Sequence, residues 1–208
     1  MQTGNTHSER LMPQIEKLFS VSGATPAEVD ALAVSIGPGS FTGLRIGMTT
    51  AKTLAYAWKK PIVGVPTLEA LAFGCPAGSG WVSALLDAQK GRVYQALYQW
   101  RKGVLAEMWP VRIVSAEQAF RELAQLEGPV TVVGESVRDY AGLAGSTGEK
   151  IVLAPEHALM PRAACVGLLG MAGWLAGLAV DPVELNPLYV RRPEAEELWE
   201  RRCGAAGL

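Results

Sequence analysis

The sequence predicts an α/β protein folded in two lobes. Three observations point there. Apolar runs of strand length alternate with longer segments patterned at steps of three and four residues; a glycine- and proline-rich stretch at 74–80 breaks the chain; and the elements after that break open as an antiparallel meander. With 208 residues, 49% of them hydrophobic, the chain is long enough to bury a core in one large domain or two small lobes.

The first element is a helix over 7–20, because Leu11, Ile15 and Leu18 fall on one face with Met12 and Phe19 beside them. Thr25, Pro26 and Glu28 read as an N-cap, a first-turn proline and a capping-box acid, which starts a short helix leading into a strand at 31–36. A Gly/Pro turn follows, then a long helix from 41 to 58. After it come a buried strand at 61–65 and a helix at 68–73 capped by Thr67.

Beyond the break, 81–87, 92–100 and 104–114 read as strands, the last two joined by an Arg101-Lys102-Gly103 turn. Helix and strand then alternate: a helix at 115–126, a strand at 130–133, a helix near 136–143, a strand at 151–153 and a long helix over 162–178. The tail at 182–192 is punctuated by prolines and extended, and a charged segment at 194–202 suits a short terminal helix. The lobes are therefore expected at 1–79 and 80–183, with the tail at 184–208 packing back on the first. That first lobe has two clear strands for three helices, too little sheet to cover them.

Composition excludes several functions. Nineteen basic and twenty acidic side chains leave a net charge of −1, so the chain does not hold nucleic acid by bulk electrostatics. Three cysteines, Cys75, Cys165 and Cys203, show no CxxC spacing, which argues against a disulfide framework and a zinc knuckle and fits a reducing cytoplasm. The start, MQTGNTHSER, is not a secretory signal. The most apolar stretch, 163–180, carries four glycines and is expected to be a buried helix, with no membrane association.

The segment Gly37-Pro38-Gly39-Ser40-Phe41-Thr42-Gly43-Leu44-Arg45, between a strand and a helix, has two readings. Amide groups at a glycine-opened helix N-terminus suit a nucleotide phosphate, although glycines at 37, 39 and 43 miss GxGxxG by one position and no P-loop lysine follows. The alternative is a tight turn in which glycine supplies unusual backbone angles and Ser40 caps the helix.

The runs HSERLMPQIEKLF, VSIGPGSFTGLRIGMTTAKTLAYAW and PIVGVPTLEALAF resemble the TsaB (YeaZ) family of threonylcarbamoyladenosine dimerisation subunits, and LLDAQKGRVYQALY and NPLYVRR are similar too. The resemblance touches most of the chain. It implies the two-lobed actin/Hsp70/sugar-kinase-like (ASKHA) fold and a non-catalytic role in modifying tRNA position 37. The implied partners are a TsaD-type catalytic paralogue and a TsaE-type ATPase, with a homodimer when the paralogue is absent and tRNA met only through the complex. Family members usually begin with a β-hairpin of about twenty further residues bearing a phosphate loop, so the first lobe is expected to lack its N-terminal strands and the upstream reading frame to encode them.

In the catalytic paralogue the corresponding helix carries an HxxxH metal pair. Here that frame reads Thr67-Leu68-Glu69-Ala70-Leu71, and only His7 and His157 occur in the chain. No metal, cofactor or catalytic residue is therefore expected. A glycoprotease-like hydrolase finds no HExxH motif, and Ser40 lies in no GxSxG elbow. Asp87 and Lys90 read as turn residues or as an acid and base pair. The competing function is an ATP-dependent phosphotransferase of the sugar-kinase superfamily that uses the 37–43 loop.

A partner face is predicted on two helices. Phe41, Leu44, Met48, Ala51, Ala55 and Trp58 form one stripe, while Ile46, Thr50, Thr53, Leu54 and Ala57 form another, leaving apolar surface beyond what one sheet covers. Leu11, Met12, Ile15, Leu18 and Phe19 offer a similar surplus. Together they are expected to make half of an intermolecular four-helix bundle; the alternative is that both stripes are internal.

Overall fold

The computed structural model describes residues 7–75, 80–146 and 148–190, and the expected terminal helix at 194–202 lies outside them. Helix α1 (His7–Ser22) precedes a single 3-10 turn (Pro26–Glu28), whose Thr25–Glu28 capping box forms as the sequence predicts. Strand β1 (Leu32–Gly37), helix α2 (Phe41–Trp58), strand β2 (Ile62–Pro66) and helix α3 (Thr67–Phe73) follow. β1 and β2 pair in parallel, Leu32 against Ile62 through Ser35 against Val65. Among the described residues this first sheet has two strands.

A second sheet holds β3 (Trp81–Asp87), β4 (Arg92–Arg101), β5 (Val104–Ser115), β6 (Val130–Val133) and β7 (Ile151–Leu153) in the order β5-β4-β3-β6-β7. The meander β3-β4-β5 is antiparallel, and β6 and β7 join it in parallel. Pro110 sits in β5, where its missing N–H costs little because β5 is the edge strand. Helix α4 (Ala116–Leu123) buries Ala119, Phe120 and Leu123 against this sheet, and Ser115 caps it by accepting from the Gln118 amide at 3.1 Å. Gly134 follows β6 at φ 134°, and a Cβ there would stand 1.7 Å from the Leu85 carbonyl oxygen, so only glycine fits.

Three helices differ from expectation. Residues 136–143 form a 3-10 turn (Glu135–Tyr140) and a short α5 (Ala141–Gly145). The helix expected over 115–126 ends at Leu123. That expected over 162–178 is α6 (Ala163–Leu175), which stops because Gly177 turns left-handed at φ 78° and the Leu178 amide reaches back to the Gly173 carbonyl. Nor is α6 buried all round. Gly170 and Gly173 bring one face onto Ala33 and Val63 of the first sheet, while Leu168, Met171, Leu175 and Leu178 stay exposed. Apolar composition identified the helix but not which side has a neighbour. No helix among the described residues is long and apolar enough to cross a membrane.

α3 is shared between the sheets. Leu68, Leu71 and Ala72 pack with Val82, Ala84 and Ala96 of the second sheet, whereas Ala70 packs with Val63 and Val65 of the first. The extended tail returns to the first sheet: the Leu188 amide donates to the Ile36 carbonyl at 2.8 Å, and Lys52 donates to the carbonyls of Leu185 and Val183.

Candidate functional site

The glycine loop is built around close approach and a cap. Gly37 has φ 110°, its peptide to Pro38 is cis, and a Cβ there would stand 3.0 Å from the Leu188 carbonyl oxygen and 3.1 Å from Leu44. Ser40 accepts from the Gly43 amide at 3.3 Å and its carbonyl accepts from Leu44 at 2.8 Å, so both of its oxygens serve the first turn of α2. A side chain at Gly39 or Gly43 would meet only ordinary contacts. Arg45 does not turn into the loop: its guanidinium lies 3.9 Å above the Phe41 ring, which packs on Tyr189 of the tail. The tail therefore crosses the loop, a contact that local spacing carries no signal for.

The frame that holds a metal pair in the catalytic paralogue is occupied here by core side chains. Thr67 does not cap α3, since Pro66 takes that position; its hydroxyl bonds Ser35 Oγ at 2.6 Å across to β1. Leu71 is 1% exposed in the core. Glu69 is half-buried between them, and burial, then the nearby Glu107, holds its carboxyl above the ordinary value. In the β3-β4 hairpin, Asp87 Oδ1 accepts from the Gln89 amide at 2.8 Å, and Gln89 and Lys90 are both left-handed, the geometry of a tight turn. His157 is exposed in a 3-10 turn (Glu156–Ala158) of the second lobe, and Ser40 is engaged at its cap.

On the two candidate interface helices the structure separates inner from outer positions. Leu11, Ile15 and Phe19 are half-buried, and Phe19 meets Trp58 edge-on at 5.7 Å, which seats α1 on α2. Met12, Leu18 and Val21 face solvent. On α2, Met48 and Ala55 are 4% and 0% exposed, and Leu44 and Ala51 are half-buried beside them. Met48 and Ala55 are thus core, because that row lies on the chain's own sheet. The outer face of α2 is Arg45, Thr49, Thr53, Tyr56 and Ala57, with Tyr56 74% exposed. Val21 and Tyr56, both exposed, fall outside the stripes read from the sequence.

A family model described as TsaD, tRNA N6-adenosine threonylcarbamoyltransferase, matches residues 2–197. The chain is 34% identical over 200 residues to the Bacillus subtilis (strain 168) tRNA threonylcarbamoyladenosine biosynthesis protein TsaB, covering 93% of this chain and 83% of that one. The chain belongs to the TsaB (YeaZ) family. TsaB of Escherichia coli (strain K12) is 30% identical over 201 residues, covering 95% and 85% of the two chains. A solved Pseudomonas aeruginosa structure described as YeaZ superposes with a TM-score of 0.75 at 26% identity, covering 89% of this chain and 84% of that one. The two-lobed ASKHA architecture expected for TsaB proteins is the one observed here, with two strands described in its first sheet.

Proposed function

We propose that this chain is the non-catalytic partner subunit of the machinery that installs N6-threonylcarbamoyladenosine at tRNA position 37, pairing with a TsaD-type threonylcarbamoyltransferase. The observation that carries the reading is α3: Thr67 is tied to Ser35 and Leu71 lies in the core, where the catalytic paralogue needs histidine ligands. The two TsaB relatives, matched along nearly the whole chain, support the pathway. Pairing uses the outer surface of α1 and α2, centred on Met12, Leu18, Val21 and Tyr56, which leaves large apolar side chains in water on adjacent helices. A TsaE-type ATPase joins the pair, a homodimer forms when the paralogue is absent, and tRNA is met only through the complex, in the cytoplasm. One lobe is the first sheet with α1, α2 and the returning tail and the other is the second sheet, with α3 at their junction and α6 covering the first sheet although it follows residue 80 in the chain.

The test is reconstitution. The chain mixed with a TsaD-type paralogue and a TsaE-type ATPase should elute as a complex and transfer threonylcarbamoyl to tRNA, while the chain alone transfers none. Micromolar Mg-ATP binding with phosphoryl transfer by the isolated chain would establish the phosphotransferase instead.

A further inference from the structure

Two cysteines far apart in sequence lie near one another where α3 ends and α6 begins. Cys75 closes the last turn of α3, its amide donating to the Ala72 carbonyl at 3.1 Å, and its side chain is buried among Leu68, Leu71, Ala158 and Leu159. Cys165 lies in the first turn of α6 and is half-buried, the less buried of the two. Its sulfur rests against the α3 terminus: a Cβ built on Gly74, the residue before Cys75, would stand 3.6 Å from Cys165 Sγ. Both thiols are free. We propose that Cys75 and Cys165 form an oxidisable pair that closes to an intramolecular disulfide when the protein meets a hydroperoxide.

The division of labour follows from burial. Cys165, the less buried of the two, meets the oxidant: its thiolate attacks one peroxide oxygen, an S–O bond forms, the O–O bond breaks, and hydroxide leaves to be protonated to water. The sulfur of Cys75 then attacks the Cys165 sulfenic acid. The S–S bond forms, the S–O bond breaks, and the Cys75 proton leaves with the hydroxyl as water. Burial, and then the neighbouring Cys165, pushes the Cys75 thiol up to about 11, which keeps it unreactive toward outside oxidants. The bond would clamp the end of α3, which packs on both sheets, to α6, which lies on the first. A transient bond of this kind is compatible with a reducing compartment.

The experiment uses the full-length chain carrying Cys203→Ser, which removes the third thiol. After a few equivalents of hydrogen peroxide and alkylation, non-reducing peptide mass spectrometry should find Cys75 and Cys165 joined, two hydrogens lighter than the separate thiols. The oxidised protein should melt several degrees higher and revert with dithiothreitol. In Cys75→Ala the sulfenic acid at Cys165 should persist and be trapped by dimedone; in Cys165→Ser, Cys75 should stay fully alkylatable in denaturant. The proposal is overturned if Cys75 remains alkylatable in the treated Cys203→Ser protein while Cys165 advances to sulfinic acid or links two molecules.

Discussion

Glu69 shows how one residue can be reassigned by its surroundings. In sequence it is the one acidic group in a frame that lacks metal ligands, and nothing there says where it points. In the fold it is half-buried on α3, facing Glu107 of β5, and burial first and Glu107 second raise its carboxyl above the ordinary 4.5. The phenol of Tyr98, directly opposite Glu107 on β4, is raised by its own burial and then by the same two carboxylates. A carboxyl with a raised folded value binds its proton more tightly when folded, so it favours folding less as pH climbs from 4.5 through that raised value. Glu69→Gln removes the half-buried charge. The variant should melt above wild type at pH about 7, with the gap closing as pH falls toward the ordinary carboxyl range. A thermal melt series across pH settles it: Glu69→Gln melting below wild type at neutral pH would mean that the carboxylate makes a stabilising contact.

Elements were legible where their chemistry is local. Ser40 caps α2, the Thr25–Glu28 box closes, and the meander follows its turn residues, because such contacts are decided within four residues, whereas the cap expected of Thr67 falls to Pro66 once its hydroxyl is drawn across to Ser35. Which side of α2 faces outward was not legible. The helix carries apolar residues over more than half its circumference, so periodicity finds two stripes without ranking them, and only the packed sheet shows that Met48 and Ala55 lie inward. The expected partner face shifts accordingly to Leu18 on α1 and Tyr56 on α2, at 67% and 74% exposure. Leu18→Glu or Tyr56→Glu should abolish elution with a TsaD-type paralogue while the melting temperature stays near wild type. Met48→Glu should instead cost about 3–5 kcal/mol by burying an unpaired charge, and unfold the first lobe. If both surface variants still pair at wild-type affinity, the interface lies elsewhere on the molecule.

At the scale of the whole molecule, the first lobe is closed by sequence from the far end of the chain. The two-stranded sheet lies between α2 and α6, and its loop at 37–41 would stand open were it not for the tail. Leu188 bonds Ile36, Tyr189 packs on Phe41, and the Leu188 carbonyl fills the space that a side chain at Gly37 would need. Lys52, on the middle of α2, donates at 2.8 Å to Leu185 and at 3.3 Å to Val183, more than 130 residues away in sequence. The tail is expected from sequence to pack back on this lobe, but no local pattern announces that Lys52 receives it, because a lysine on a helix reads as solvated surface. The structure gives the pair a measurable coupling. Lys52→Met should cost about 1–2 kcal/mol in the full chain, through lost charge-assisted bonds to two partly exposed carbonyls. In a chain ending at Asp181 the same substitution should cost almost nothing, since its acceptors are gone, and the truncation itself should expose the 37–41 loop to proteolysis. Urea denaturation of the four proteins forms a complete cycle. Equal losses from Lys52→Met in both backgrounds would show that Lys52 stabilises α2 by itself and that the tail is held by its aromatic and backbone contacts alone.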